Sequence, residues 1–173
     1  MAQGRDDVGS GMPADEVHLV LAALREARFE RVWIGGGWGV DALVGRQSRP
    51  HRDLDLAVDL GSSTLDRVLD TLARRGYEVE TDWRPSRVEL AAPGSRRVDV
   101  HPLTFDEQGL GQQANLDGLE PFRYPPEAFD RGTIGGRAVD CLSVAQQLRF
   151  HSGYAPREHD LHDLALLGRE GRR

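Results

Sequence analysis

Residues 49–59 read RPHRDLDLAVD, and this stretch decides the fold. Its leucines and valine alternate with acidic or small residues, and a period of two is typical of a strand with one buried face. Asp53 and Asp55 then lie together on the face opposite the leucines. The stretch therefore predicts a half-buried strand that presents two carboxylates side by side.

Two carboxylates on one strand face repel each other, and each raises the pKa of the other unless a cation lies between them. A hard divalent cation removes this conflict, and Mg2+ held by carboxylates together with substrate phosphates is a common arrangement. The same D-x-D pattern also occurs by chance, as acids on the solvent face of a strand edge. Residues 53–55 alone therefore leave both interpretations open.

A third carboxylate follows in VDVHPL, residues 98–103. The two valines face the core, so Asp99 and His101 share the opposite strand face. If this strand lies beside the first, three carboxylates converge, which is typical of phosphoryl-transfer sites built around metal ions. The histidine is interpreted either as a structural strand-end residue or as a catalytic one, with the structural role favoured. The predicted catalytic and metal-binding residues are Asp53, Asp55 and Asp99.

A glycine turn, GGGW at residues 35–38, leaves a short apolar strand and opens a helix. Glycine lets backbone approach a phosphate closely, and free N–H groups at a helix start bind anions. The spacing fits neither a dinucleotide fingerprint nor a P-loop, and a purely structural turn would also explain it. Because the turn lies one loop before the acid pair, we interpret it as a cradle for a triphosphate. Basic side chains in the intervening loop would neutralise part of the phosphate charge. The predicted nucleotide-binding residues are Gly36, Gly37, Trp38, Arg49 and His51.

The rest of the chain alternates helical and strand patterns. Helical spacing of apolar residues predicts helices near residues 17–24, 40–44, 65–72, 143–150 and 157–167. Further strands are predicted at 32–34, 77–83, 87–91 and 97–105, a small hairpin at 133–140 turns at the glycines 135–136, and residues 106–130 are assigned as a long irregular crossing. This order predicts an α+β fold, with a mixed or antiparallel sheet flanked by helices and a short helical C-terminal part. The expected units are a disordered tail at 1–12, a catalytic domain at 13–142, and C-terminal helices at 143–173 that pack on it.

Composition narrows the class of protein. A chain of 173 residues with 39% hydrophobic residues fits one domain with a real core. The single cysteine, Cys141, excludes an internal disulfide framework and a cysteine metal cluster, and is read as a buried hydrophobe. The net charge of −6, with no clustered basic excess, argues against a nucleic-acid partner. A polar start and the lack of a long apolar run predict a cytoplasmic protein without membrane contact. The expected state is a monomer or a homodimer, between which the sequence does not choose.

The motifs taken together resemble a known family. The order GGGW, RPHRDLDLAVD and VDVHPL resembles the DNA polymerase β nucleotidyltransferase superfamily, and more closely its antibiotic-inactivating branch of lincosamide and aminoglycoside-2″ nucleotidyltransferases. The likeness continues through PFRYP at 121–125, GTIGG at 132–136, HSGY at 151–154 and REHDLHDL at 157–164. Many superfamily members carry Gly-Ser in the turn, whereas here only glycine backbone is offered.

The resemblance implies a nucleotidyltransferase-type sheet and an enzyme that moves a nucleoside monophosphate from an NTP, with ATP favoured, to a hydroxyl of a small molecule, releasing pyrophosphate. Asp53 and Asp55 would hold magnesium as the cofactor, and Asp99 would act as general base or third metal ligand. The expected acceptor is a cationic small molecule with a free hydroxyl, aminoglycoside-like first and lincosamide-like second. The residues assigned to the acceptor are His101, Tyr154, Asp160 and Asp163.

Two other functions remain open from the sequence. One is an antitoxin-like or protein-modifying nucleotidyltransferase with a macromolecular acceptor. The other is a catalytically silent binding protein of the same fold. The presence of all three acids argues against a silent protein, and the glycine turn with a helical C-terminal part argues against the antitoxin type.

Overall fold

Alternating helices and strands make up the computed structural model, which describes residues 11–152 and 154–171. The helices are α1 (Ala14–Glu26), α2 (Gly36–Val44), α3 (Leu65–Ala73), α4 (Val144–Phe150) and α5 (Glu158–Glu170). The strands are β1 (Val32–Ile34), β2 (Leu54–Asp59), β3 (Glu78–Trp83), β4 (Arg87–Ala92), β5 (Arg96–Phe105), β6 (Gly111–Gln113), β7 (Phe122–Tyr124), β8 (Phe129–Ile134) and β9 (Arg137–Leu142).

The strands form one mixed sheet in the order β3-β4-β5-β2-β1-β9-β8, with β6 and β7 extending from β5. Strand β2 is antiparallel to β1 but parallel to β5, and β1 is parallel to β9. The hairpins β3-β4, β4-β5 and β8-β9 are antiparallel. The predicted α+β class with a mixed sheet is therefore confirmed.

Helices α1 and α3 cover one face of the sheet, and the main core lies between these helices and the sheet. The alternating Leu54 and Leu56 of β2 are fully buried there, together with Val100 of β5. Burial of each such side chain is worth roughly 1.5–3 kcal/mol, which fixes the face that the strand turns inward. The carboxylates between these residues therefore point to the other side of the sheet, as the alternation predicted.

Helix α2 lies over the sheet, and the C-terminal helices α4 and α5 pack against α2 on the side away from the main core. Val40 of α2 contacts Leu166 and Leu167 of α5 in a separate small core, joined by Val144 at the start of α4. Within the described residues, no helix is both long and apolar enough to cross a bilayer. This packing brings α5 close to the start of α2, which matters for the site.

The segment predicted as an irregular crossing, residues 106–130, contains more structure than expected. It holds β6, β7, a 3-10 turn at Pro126–Ala128 and the start of β8. Strands β6 and β7 have three residues each and pair with β5 and with each other. Three residues are too few to show a period, so their sequence carries no strand signal, and the strands are stabilised by pairing and by the burial of Gln113 and Tyr124.

The start of the chain also differs from the expected tail. Residues 1–10 lie outside the described residues. Met12, by contrast, is buried, its N–H donates to the carbonyl of His51 (2.9 Å), and its carbonyl accepts from the indole of Trp38 (3.0 Å). This apolar side chain packs in the main core, so Met12 belongs to the folded domain, although we placed it in the tail.

Candidate active site

The glycine turn between β1 and α2 sits directly on the acid strand. The N–H of Gly35 donates to the carbonyl of Asp55 (2.9 Å). Gly36 has a φ of +55°, and a Cβ there would overlap Oδ2 of Asp55. Glycine is required at this position by both conformation and space. The N-terminus of α2 and its free N–H groups therefore open onto the acid pair.

The parallel pairing of β2 with β5 sets Asp55 directly beside Asp99. His101 lies two residues beyond Asp99 on β5, and its Nε2 is 3.4 Å from both Asp55 Oδ1 and Asp99 Oδ2. One ligand atom from each of these three residues falls within 4.8 Å of the others. The predicted adjacency of the two strands is therefore present. Among the described residues, the close group contains Asp55, Asp99 and His101, which we assigned to the acceptor, and it does not include Asp53.

Asp53 immediately precedes β2 and opens toward the same cleft. Asp53 is solvent-exposed, but partial desolvation by the neighbouring protein, followed by repulsion from Asp55 and Asp99, raises its pKa to about 6. A buried oxygen of Asp99, Oδ1, makes no hydrogen bond within the described part of the chain. Crowded carboxylates with a raised pKa and an unpaired oxygen have the character of a cation site.

Arg87 of β4 is a site residue that the sequence interpretation missed. Its Nη1 donates to Asp99 Oδ2 (2.9 Å), its Nη2 lies 3.2 Å from Glu89, and the guanidinium lies 4.4 Å from the ring centre of Trp83. Glu89 stands directly opposite Asp99 across the β4-β5 hairpin, and like charges in such a pair repel. The charge alternation in RVEL would have pointed to Arg87 once that hairpin register was known.

A hydrogen-bonded network behind the acids orients His101. The amide nitrogen of Gln113 lies 3.0 Å from His101 Nδ1 and donates to the carbonyl of Ser86 (3.0 Å). The hydroxyl of Tyr124 donates to the amide oxygen of Gln113 (2.6 Å). The ring is thereby held with Nε2 toward the carboxylates. Gln113 comes from β6, in the segment without a sequence signal, and was not predicted.

The loop between α2 and β2 is held from beneath by the buried Asp41 of α2. Asp41 accepts hydrogen bonds from the N–H and hydroxyl of Ser48 and lies 2.6 Å from Nε2 of His51. Burial raises the pKa of Asp41, but the bonds from His51 and Ser48 outweigh it, and the net pKa is lowered. This network shapes the loop that carries Arg49 into the cleft.

Two of the predicted nucleotide-binding side chains belong to this support rather than to the cleft. Trp38 is 1% exposed and His51 5%, and their rings pack together at 4.4 Å between centres. Gly36, Gly37 and Arg49 do line the cleft. Trp38 is buried because a bulky apolar ring on the first turn of a helix gains more from burial than from contact with a phosphate. His51 is buried with it because its Nε2 lies 2.6 Å from the buried carboxylate of Asp41.

Residues from α5 and the segment before it form the other wall. Arg49 binds Asp163 through two hydrogen bonds, Nε to Oδ1 (3.1 Å) and Nη2 to Oδ2 (2.8 Å). Asp160 accepts from the N–H of Arg157 (2.8 Å) and from the hydroxyl of Tyr154 (3.3 Å). Both acids are buried and already have donors, although we assigned them to the acceptor.

The cleft enclosed by these parts has a volume of about 990 Å³. It runs from the glycine turn, over Asp53 and Asp55, to a wall that includes Phe122 and Tyr124. This volume lies at the upper end of the range of small-molecule sites. The glycine-capped helix start, the acid cluster on paired strands and the mixed sheet define a nucleotidyltransferase.

The particular family follows from comparison with known proteins. The model of the aminoglycoside-2″-adenylyltransferase family matches residues 16–167, and the chain belongs to this family. A lincosamide resistance protein of Staphylococcus haemolyticus is 37% identical over 135 residues, which cover 78% of this chain and 82% of that protein. A 2″-aminoglycoside nucleotidyltransferase of Escherichia coli is 34% identical over 128 residues, covering 73% of this chain and 66% of that protein.

Solved structures agree. The crystal structure of the lincosamide antibiotic adenylyltransferase LnuA, lincomycin-bound, superposes with a TM-score of 0.82 at 33% identity, covering 92% of this chain and 98% of that one. The crystal structure of ANT(2″)-Ia in complex with adenylyl-2″-tobramycin gives 0.68 at 23% identity, covering 89% and 86%, and shows the shared fold. The resemblance read from the motifs is therefore confirmed, and the chain is a nucleotidyltransferase.

Proposed function

We propose that this enzyme transfers a nucleoside monophosphate from an NTP, with ATP favoured, to a hydroxyl of a small lincosamide-like acceptor, with Mg2+ bound at the acid cluster. The observation that carries the proposal is the pairing of Asp55 with Asp99 directly beneath the glycine turn. Phosphate-binding backbone and metal-binding carboxylates then meet at one point of the cleft, as transfer of a nucleotidyl group requires.

The residues present fit magnesium. Asp53, Asp55 and Asp99 offer hard oxygen donors, which Mg2+ prefers over nitrogen or sulfur ligands. The raised pKa of Asp53 and the unpaired Oδ1 of Asp99 are both relieved when a cation is bound there. When bound, magnesium supplies charge neutralisation at the phosphate oxygens and lowers the pKa of a coordinated hydroxyl.

The protein groups then have separate tasks. The N–H groups of Gly36 and Gly37 hold phosphate oxygens at the start of α2, and Arg49 neutralises part of their charge. Asp99 accepts the proton of the acceptor hydroxyl, whose oxygen forms a bond to the α-phosphorus. The bond between the α-phosphorus and the bridging oxygen breaks in line, and pyrophosphate leaves with that electron pair.

The lining of the cleft favours a lincosamide-like acceptor over a polycationic one, which reverses the order expected from sequence. Four acids line it in the described part of the chain, Asp53, Asp55, Asp160 and Asp163. The first two serve the metal, and the other two are already bound by donors. The exposed apolar side chains Leu116 and Phe122 border the remaining wall. The relative with 37% identity, named a lincosamide resistance protein, supports the same order.

Pyrophosphate release tests the acceptor. With Mg2+ and ATP, we expect kcat/KM for lincomycin to exceed that for tobramycin by about tenfold or more, which corresponds to about 1.4 kcal/mol of preferential transition-state binding. Salt screens attraction between exposed charges over about 8–10 Å and therefore weakens the binding of a polycation. The KM for lincomycin, which is not the polycationic acceptor, should change little between low and physiological salt. Replacing ATP by the other NTPs tests the nucleotide preference.

Two results would contradict this assignment. Preferential, salt-sensitive turnover of tobramycin would restore the polycationic acceptor. Modification of a purified cellular protein, with no turnover of any small alcohol, would establish the macromolecular alternative.

Repulsion among the crowded carboxylates should make the free energy of unfolding of the metal-free protein depend on pH. The pKa of Asp53 in the folded chain, about 6, lies above its ordinary value of 3.8, so the folded state holds this proton more tightly. The stabilisation this group gives is complete below pH 4 and is lost as the pH rises through 6. Asp53→Asn should remove that loss and stabilise the metal-free protein at pH 7.5, by less than about 1 kcal/mol because the side chain is solvent-exposed and screened.

Urea unfolding in EDTA at pH 4.5 and pH 7.5 measures the effect, with Asp70→Asn at an exposed position of α3 as the control. In magnesium the order should reverse, because the metal binds the ionised wild type better and stabilises it by mass action. A variant whose stability follows the wild type at both pH values would remove Asp53 from the metal site.

A further inference from the structure

We propose that Asp163, on the last helix, is a positioning residue of the nucleotide site that acts by fixing Arg49. The inference rests on the proposed phosphate-binding role of the glycine turn. It moves Asp163 from the acceptor, where the sequence placed it, to the nucleotide, and it makes α5 part of the phosphate site.

The contact between Asp163 and Arg49 has the geometry of a fixed pair. Both carboxylate oxygens are used, by Nε at 3.1 Å and Nη2 at 2.8 Å, along one edge of the guanidinium. The side chains are 4% and 23% exposed, so solvent screens the pair only weakly. Arginine presents its donors in a rigid plane, so fixing one edge also fixes the direction of the other.

The position of the guanidinium indicates what that other edge is for. A Cβ on Gly37 would overlap Nη2 of Arg49, which means that the guanidinium lies against the first turn of α2. Nη2 is therefore the atom nearest this turn; one of its N–H groups binds Asp163, and its second N–H points to where a phosphate at the turn would lie, while Nη1 donates to the carbonyl of Pro50 (3.3 Å). Asp163 thus fixes the plane of a cation whose end lies against the expected anion.

Charge argues against the earlier assignment to the acceptor. With both oxygens bound to Arg49, Asp163 has its charge compensated and its strong acceptor positions used. An ammonium group of an acceptor would have to displace a bidentate arginine from a nearly buried carboxylate, and breaking such a pair leaves an uncompensated charge.

A merely structural role is the competing explanation, because the same pair ties α5 to the loop after α2. A neighbouring contact offers a matched control. His162 of α5 lies 3.0 Å, by Nε2, from the hydroxyl of Ser48 in the same loop. His162→Ala cuts this second tie between the same two elements and leaves Arg49 and Asp163 in place.

The test is calorimetric titration of the full chain with ATP and Mg2+, beside steady-state kinetics. Asp163→Asn should raise the Kd and KM for ATP about tenfold, the effect of misplacing one charge-assisted hydrogen bond to a phosphate, and leave the acceptor KM within about twofold. His162→Ala should leave the Kd for ATP unchanged. In an Arg49→Gln background, Asp163→Asn should add less than about twofold, because the two residues act as a unit.

Each other outcome is decisive. An equal loss of ATP affinity in Asp163→Asn and His162→Ala would show a structural tie and overturn the inference. A raised acceptor KM with unchanged ATP binding would return Asp163 to the acceptor. Wild-type protein that binds no NTP at all would instead refute the proposed function, before any variant is compared.

Discussion

Asp55→Asn is expected to abolish turnover while the protein stays folded. Asp55 lies beside Asp99 on the paired strands, with the glycine turn directly above it. Metal-held charge stabilisation of a phosphoryl transition state is worth several kcal/mol, and each 1.4 kcal/mol is about tenfold in rate, so the loss should be on the order of a thousandfold or more. Pyrophosphate release under saturating ATP and acceptor measures it.

The fold should tolerate this change because it removes one of several repelling charges. We expect the free energy of unfolding of the metal-free variant to stay within about 1 kcal/mol of the wild type. Asp59→Asn is the matched control, since Asp59 lies on the same strand but binds Arg31 at 2.7 Å outside the cleft. An Asp55→Asn protein that keeps its activity would eliminate the metal role of this residue.

Gly36→Ala is expected to give the second largest loss, on the order of a hundredfold in kcat, the scale of a displacement of about 1 Å at a catalytic group. The added Cβ would overlap Oδ2 of Asp55 and push the carboxylate from its place. The φ of +55° adds a backbone cost of roughly 1–2 kcal/mol, which lowers the melting temperature as well.

Gly61→Ala separates these two causes. Gly61 has a φ of +53°, and a Cβ there meets nothing within 4 Å. It should therefore lower the melting temperature by a similar amount and leave kcat unchanged. If Gly36→Ala keeps full activity with only the stability loss of Gly61→Ala, then the turn is a structural element without a role in catalysis.

The alternation of residues 53–59 was enough to predict both the strand and the face of its carboxylates. The reason is that side-chain direction in a strand is set locally by the backbone, and burial of the leucines selects the face. The glycine turn was also predictable from the local sequence, because a positive φ and a close approach of the backbone both require glycine. These features, in their order along the chain, also carried the family resemblance.

Other residues of the site depend on contacts that no local pattern encodes. Arg87 and Gln113 reach the acids only through the pairing of β5 with β4 and with β6. Trp38 follows the glycines and resembles a ligand contact in sequence, yet it is buried under the turn. Asp163 resembled a free acid on a helix, and its partner Arg49 comes from a loop far away in the chain.

The sequence by itself determined the fold class, the strand face of the acids and the glycine turn, because each rests on spacing along one segment, and the order of these motifs carried the family resemblance that implied the kind of reaction. Only the tertiary structure decided which charges are already paired, which side chains support the loop from beneath, and therefore which wall of the cleft remains for the acceptor. Register between strands and packing between helices are set by the total burial of many residues at once. The sequence pattern shows which face of each helix or strand is buried, but which residues pack against that face depends on the packing of the whole core.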